Sequence, residues 1–88
     1  MKVYLVCLHT LDFCENAVDS TLFRVFANKK DAIQAQNNYV RQKIEQCKAA
    51  GMYVQSSEWY DGSSIITAFS GNKRVMSFTF FIEERPLE

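Results

Sequence analysis

Proline and glycine are scarce in this chain of 88 residues, which contains one proline and three glycines. Disordered segments are rich in such residues and poor in aromatics, whereas 14% of this chain is aromatic, so intrinsic disorder is excluded. Unbroken apolar runs are also short, and a helix that spans a bilayer needs about 20 apolar residues. Residues 3–8 have strand character and no cleavage site follows them, so we expect neither a membrane span nor a secretory signal.

An excess charge of one sign is absent too, because ten basic side chains balance ten acidic ones. A neutral chain has no overall field that would steer it to a polyanion. The cysteines are odd in number, Cys7, Cys14 and Cys47, so they cannot all form disulfides within one chain. Free thiols are typical of reducing compartments, and we expect a cytoplasmic protein.

Histidine occurs once, at His9, so the chain cannot build a metal site from several histidines of its own. The nearest candidate group is Cys7, His9, Asp12 and Cys14. Its cysteines are separated by six residues, which is not the Cys-x2–4-Cys turn that brings both sulfurs to one zinc ion. The three glycines stand alone and form no phosphate-binding loop. We expect no metal, no cofactor and no small-molecule substrate.

A nucleophilic site can be drawn from the same segment, with Cys14 as the thiol, His9 as the base and Asp12 as the residue that orients the base. These are common residue types in a short stretch, and no glycine-rich turn beside them offers oxyanion donors. We therefore expect no enzyme, and a cysteine-dependent enzyme is the less favoured alternative.

The first part of the chain predicts two strands. Residues 2–9 are apolar at both alternating sets of positions, as in a strand that is buried on both faces. Polar residues interrupt the pattern from Leu11 to Ser20, which predicts a long loop that folds back onto the body of the protein. Residues 21–27 predict the second strand.

A long amphipathic helix is predicted over residues 29–50. Asn28 is suited to cap its first turn, and Gly51 stands where a left-handed residue ends a helix. Its apolar face contains Ile33, Val40, Ile44 and Cys47. The opposite face is predicted to be rich in side-chain amides, which are Gln34, Gln36, Asn37, Asn38, Gln42 and Gln46.

Three more strands are predicted after the helix, over residues 52–60, 64–70 and 74–84. Asp61-Gly62 and Gly71-Asn72 predict the two short turns between them. The chain is then a single α+β domain, residues 1–88, in the order β-β-α-β-β-β, with an antiparallel sheet of about five strands and the helix packed on one face. This order of elements resembles that of many small bacterial and phage proteins, and it identifies no family.

One helix covers only one face of a sheet, yet this sequence supplies apolar side chains for two faces. Either the loop from Leu11 to Ser20 covers the second face or another protein does. The residues we expect at such an interface are Tyr4, Phe23, Trp59, Tyr60 and Phe81, because aromatic side chains dominate interface energetics. The sequence thus favours a non-enzymatic protein-binding module, such as a regulator, an inhibitor or immunity-like protein, or an assembly subunit. We expect it to form a homodimer or to bind another protein.

Binding of single-stranded nucleic acid is the main alternative. The same aromatic side chains would stack on bases, and Arg24, Lys73 and Arg74 would contact phosphates. The zero net charge disfavours this alternative.

Overall fold

A computed structural model describes residues 1–59 and 62–86, which form one five-stranded antiparallel sheet and one helix. In chain order the elements are β1 (Lys2–Asp12), β2 (Ala17–Phe26), α1 (Lys29–Ala49), β3 (Tyr53–Glu58), β4 (Ser64–Ser70) and β5 (Lys73–Pro86). The order of strands across the sheet is β2-β1-β5-β4-β3. The predicted α+β fold, with five strands and one helix, is confirmed.

The predicted loop from Leu11 to Ser20 is wrong, because β1 and β2 form a hairpin through this region. β1 continues to Asp12, β2 begins at Ala17, and these two residues are paired across the hairpin. A turn of four residues, 13–16, connects them. The Asp12 carboxylate accepts hydrogen bonds from the backbone N–H groups of Cys14 at 2.9 Å and Glu15 at 3.3 Å, which holds the turn. Several polar residues interrupt the apolar pattern here: Asp12 ends β1, and Glu15 and Asn16 lie in the turn. Asp19 and Ser20 lie on β2, which is an exposed strand at the edge of the sheet.

The helix begins and ends close to its predicted bounds. The Asn28 side-chain oxygen accepts a hydrogen bond from the Asp31 backbone N–H at 2.9 Å, so the predicted N-cap is confirmed. At the other end Gly51 has a φ of +83°, and its backbone N–H donates to the Lys48 carbonyl at 3.0 Å. Among the described residues, no helix combines the length and the apolar character that a membrane span requires.

The core lies between α1 and one face of the sheet. Its buried members are Leu8, Cys47, Ile66, Ala68, Phe78 and Phe80, and Val40 and Ile44 of α1 pack against them. The predicted helix faces are wrong at two positions, since Ile33 is 43% exposed and Gln36 only 2%. The inward stripe of α1 advances mainly in steps of four residues, from position 32 through 36, 40 and 44 to 47. This stripe places Gln36 beneath the helix and turns Ile33 towards its flank.

We predict that Asn28→Ala lowers the free energy of unfolding by about 1 kcal/mol, because the first turn of α1 loses its side-chain cap. Urea denaturation followed by circular dichroism, at one protein concentration, measures the change. Asn28→Ser is the matched control, since serine also caps helices, and it should retain most of the stability. Equal stability of the alanine variant and the wild type would contradict a capping role for Asn28.

Candidate functional site

The sheet face opposite α1 contains an apolar patch on β2, β1 and β5. Pairing across the strands places Leu5 beside Val25, Leu11 beside Val18, and Cys7 between Leu22 and Phe81. These residues alternate with the buried side chains Val6 and Leu8, so they point away from α1. We define the uncovered patch by its large apolar residues, which are Leu5, Leu11, Val18, Leu22, Val25 and Phe81.

The uncovered patch is exposed to a degree that is unusual for aliphatic side chains. The exposed fractions are 69% for Val18, 53% for Leu22, 50% for Val25 and 41% for Leu11. No element of residues 1–59 and 62–86 lies over it, because α1 packs on the other face and the strands belong to the sheet itself. The alternative in which residues 11–20 cover this face is therefore wrong. Phe81 lies on this face, as the sequence predicted.

Polar groups border the patch along β1 and β5. The ring of His9 stacks on Phe81 with 4.9 Å between the ring centroids, and its Nδ1 lies 3.0 Å from the Ser20 hydroxyl. Arg85 forms an ion pair with Glu83 at 3.1 Å. The face thus has an apolar region beside groups that form hydrogen bonds or ion pairs, which is the usual composition of a protein interface.

Two residues predicted for this surface, Tyr4 and Phe23, lie on the helix side of the sheet instead. Tyr4 lines a cleft together with Ile33 and Gln36 of α1. The Phe23 ring stacks on Tyr39 of α1 with the centroids 4.4 Å apart. A β-bulge explains Phe23, because the pairing register between β1 and β2 shifts there by one residue. The extra residue of a bulge moves every later residue of the strand to the opposite face of the sheet. The alternation of residues in the sequence does not reveal where a bulge lies.

The remaining predicted interface residues do not complete a single surface. Trp59 is 54% exposed and lies near the N-terminal half of α1, on the helix side. Tyr60 lies outside the described residues. Of the basic side chains proposed to hold phosphates, that of Arg24 lies 5.4 Å from the centre of the Phe26 ring and that of Arg74 lies 4.3 Å from the centre of the Phe13 ring. The described aromatic residues of the proposed base-stacking platform are thus divided between the two faces of the sheet and do not form one continuous surface.

The residues considered for catalysis or metal binding have other contacts. Asp12 holds the hairpin turn, and His9 is bonded to Ser20 on the uncovered face. In the part of the chain that the structure describes, no group of three or more His, Cys, Asp or Glu side chains is placed to hold a metal ion. Burial raises the pKa of the Cys7 thiol, and the nearby Glu83 carboxylate raises it further. Burial also raises the pKa of Cys47.

Sequence reasoning missed the aliphatic members of the uncovered patch. The signal was present, since the odd-numbered residues of β1 are apolar from Val3 to Leu11 apart from His9. This signal is obscured because the polar residues between Leu11 and Ser20 predict a loop. A loop there takes Val18 out of any strand and leaves Leu22 without a neighbour on the same face.

Comparison with known proteins adds no functional information. No known protein family matches the chain, and neither a curated protein nor a solved structure shows significant similarity to it.

We predict that Cys14 reacts with iodoacetamide at least tenfold faster than Cys7 or Cys47 in the folded protein. Cys14 is exposed, whereas the raised pKa values of the other two thiols leave less of the reactive thiolate at pH 8. Mass spectrometry of peptides after timed alkylation measures the three rates. In urea the rates should converge, and faster alkylation of Cys7 or Cys47 in the folded protein would disprove this order.

Proposed function

We propose that this protein is a small non-enzymatic protein-binding module that forms a homodimer by packing the uncovered patches of two copies together. The exposure of the aliphatic side chains of the patch carries this proposal, and the total surface area of the chain agrees with it. A folded monomer of this mass exposes about 5,300 Å², whereas this chain exposes 6211 Å². The excess of about 900 Å² is close to the roughly 800 Å² that each partner buries in an interface of standard size.

The shape of the chain supports the same proposal. Its radius of gyration is 13.9 Å, whereas a domain of this length is expected to have one of about 12 Å. The described residues form two layers, the sheet and α1, and none of them packs on the apolar outer face of the sheet. A second copy would supply a layer there from the same surface.

The charge and position of the patch favour a second copy over a strongly charged partner. The ion pair between Glu83 and Arg85 adds no net charge to the face, so two copies do not repel one another there. A twofold axis through the patch would bring its apolar residues against the same residues of the other copy, and such isologous dimers are the commonest oligomers.

The absence of catalysis is part of the proposal and is supported by the roles of the candidate groups. The Asp12 carboxylate is bonded to the hairpin turn, and the His9 ring is bonded to Ser20 and stacked on Phe81. A regulator, an inhibitor or immunity-like protein, or an assembly subunit would use such a module. The three free thiols, one of them exposed, favour the cytoplasm.

We predict that the wild type is a dimer of about 20 kDa, twice the mass of the 10.2-kDa chain, and that Leu22→Glu converts it to a monomer. Burying an unpaired carboxylate in an apolar interface is strongly unfavourable, and we expect the dissociation constant to rise at least 100-fold. Light scattering after size-exclusion chromatography over a dilution series measures both masses.

Thr21→Glu is the matched control for this experiment. Thr21 precedes Leu22 on β2, is also exposed, and belongs to the opposite face because it pairs with Leu8. This variant should remain a dimer. A wild type that stays monomeric at the highest concentration would overturn the proposed dimer. If Leu22→Glu and Thr21→Glu dissociate equally, the two copies instead pair through the edge strand β2.

A further inference from the structure

A cleft lies on the helix side of the sheet, on the opposite side from the uncovered patch. It has a volume of about 330 Å³ and is bounded by the first half of α1 and by the adjacent ends of β1, β3, β4 and β5. Its lining includes Tyr4, Ile33, Gln36, Glu58, Trp59 and Ile82. Small-molecule sites have volumes of about 300 Å³ and above, so this cleft suits a small ligand.

A buried amide with an unused acceptor lines this cleft. Gln36 is 2% exposed, and its Nε2 donates a hydrogen bond to the Gly62 carbonyl at 2.8 Å. Its Oε1 is buried and has no hydrogen-bond partner among the described residues. Buried polar atoms without partners are rare in folded proteins, because each is costly.

Apolar side chains around the cleft are incompletely covered. Trp59 is 54% exposed and Ile33 is 43% exposed. The backbone of Trp59 is held at both of its polar groups, since its N–H donates to the Ser63 carbonyl at 2.8 Å and its carbonyl accepts from the Gly62 N–H at 2.9 Å. The indole and the Ile33 side chain therefore offer apolar surface to a flat ring.

Charged groups of both signs line the cleft, and a cationic group is favoured beside Glu58. Glu58, Glu84 and Lys29 line it. The Glu84 carboxylate lies 3.6 Å from the ammonium group of Lys2 and is partly neutralised. Glu58 and Lys29 are both exposed, and neither has an ion-pair partner in residues 1–59 and 62–86. The charge of Glu58 is therefore available to a ligand, and the cationic group of that ligand has to lie beside Glu58 rather than beside Lys29.

We propose that this cleft binds a small aromatic molecule that carries a protonated nitrogen, such as an aromatic amidine or amine. One N–H of the ligand donates to Gln36 Oε1, the ring packs against Trp59 and Ile33, and the positive charge lies towards Glu58. This site is separate from the proposed dimer interface and does not depend on it.

Benzamidine is a suitable probe, with benzoate as its matched control. The two molecules share a ring and a planar substituent, but benzoate is negatively charged and has no N–H donor. Trp59 is the single tryptophan of the chain, so its fluorescence reports on the cleft directly. We expect a saturable change with benzamidine at millimolar concentration or below, and at least tenfold weaker binding of benzoate.

Variants assign the binding to the cleft. Gln36→Leu and Glu58→Gln should each weaken benzamidine binding about tenfold, which is the size expected from one charge-assisted or buried hydrogen bond. Gln42→Leu, at an exposed position of α1, is the matched control and should bind as the wild type does. Circular dichroism checks the fold of each variant. Gln36→Leu also removes the hydrogen bond to Gly62. If Gln36→Leu does not fold, the affinity of Glu58→Gln for benzamidine tests the proposal.

Three results would overturn the proposal. The first is no saturable change with benzamidine, and the second is equal affinity for benzamidine and benzoate. The third is unchanged affinity for benzamidine in the folded Gln36→Leu and Glu58→Gln variants. Titrating Leu22→Glu with benzamidine tests whether the cleft is independent of the dimer interface. Its affinity for benzamidine should equal that of the wild type, whether or not Leu22→Glu is monomeric.

Discussion

Burial of apolar side chains between α1 and one face of the sheet is the constraint on which the rest of this structure depends. Phe80, Ile66 and Val6 are completely buried there, and Cys47 joins them from the helix. A chain of this length can form only one such core. Since α1 is the single helix of residues 1–59 and 62–86, no helix there covers the second face of the five-stranded sheet, and the apolar residues of that face remain at the surface.

The β1–β2 hairpin determines what that second face contains. By continuing β1 to Asp12 and beginning β2 at Ala17, it extends the sheet with residues that pair across the two strands. Leu11 and Val18 then lie beside one another on the exposed side. The bulge near Phe23 turns that ring towards Tyr39 under the helix, while Leu22 stays outside. One local irregularity thus removes an aromatic residue from the surface and leaves the patch largely aliphatic.

Gln36 is the one buried side chain of α1 that carries a polar amide. It joins the helix to the loop before β4 through its hydrogen bond to Gly62, and its Oε1, beside the cleft, has no partner in the part of the chain that the structure describes. An apolar residue of similar size would avoid the cost of that atom. Packing alone therefore does not explain an amide at position 36. A hydrogen-bond donor on a ligand in the cleft would offset the cost of burying Oε1.

The sequence by itself determined the α+β fold class, the capped helix after Asn28 and the strand at residues 64–70, because alternation, helical spacing, capping and turn chemistry are local properties. It also showed that one helix leaves apolar side chains uncovered. Tertiary structure alone decided which side chains those are. The face of Phe23 depends on a bulge in pairing with β1, and the hairpin at residues 11–20 depends on pairing that outweighs its polar composition. The burial of Gln36 depends on how α1 is rotated against the sheet. Each of these is set by contacts between segments that are distant in the chain, and no local pattern records such contacts.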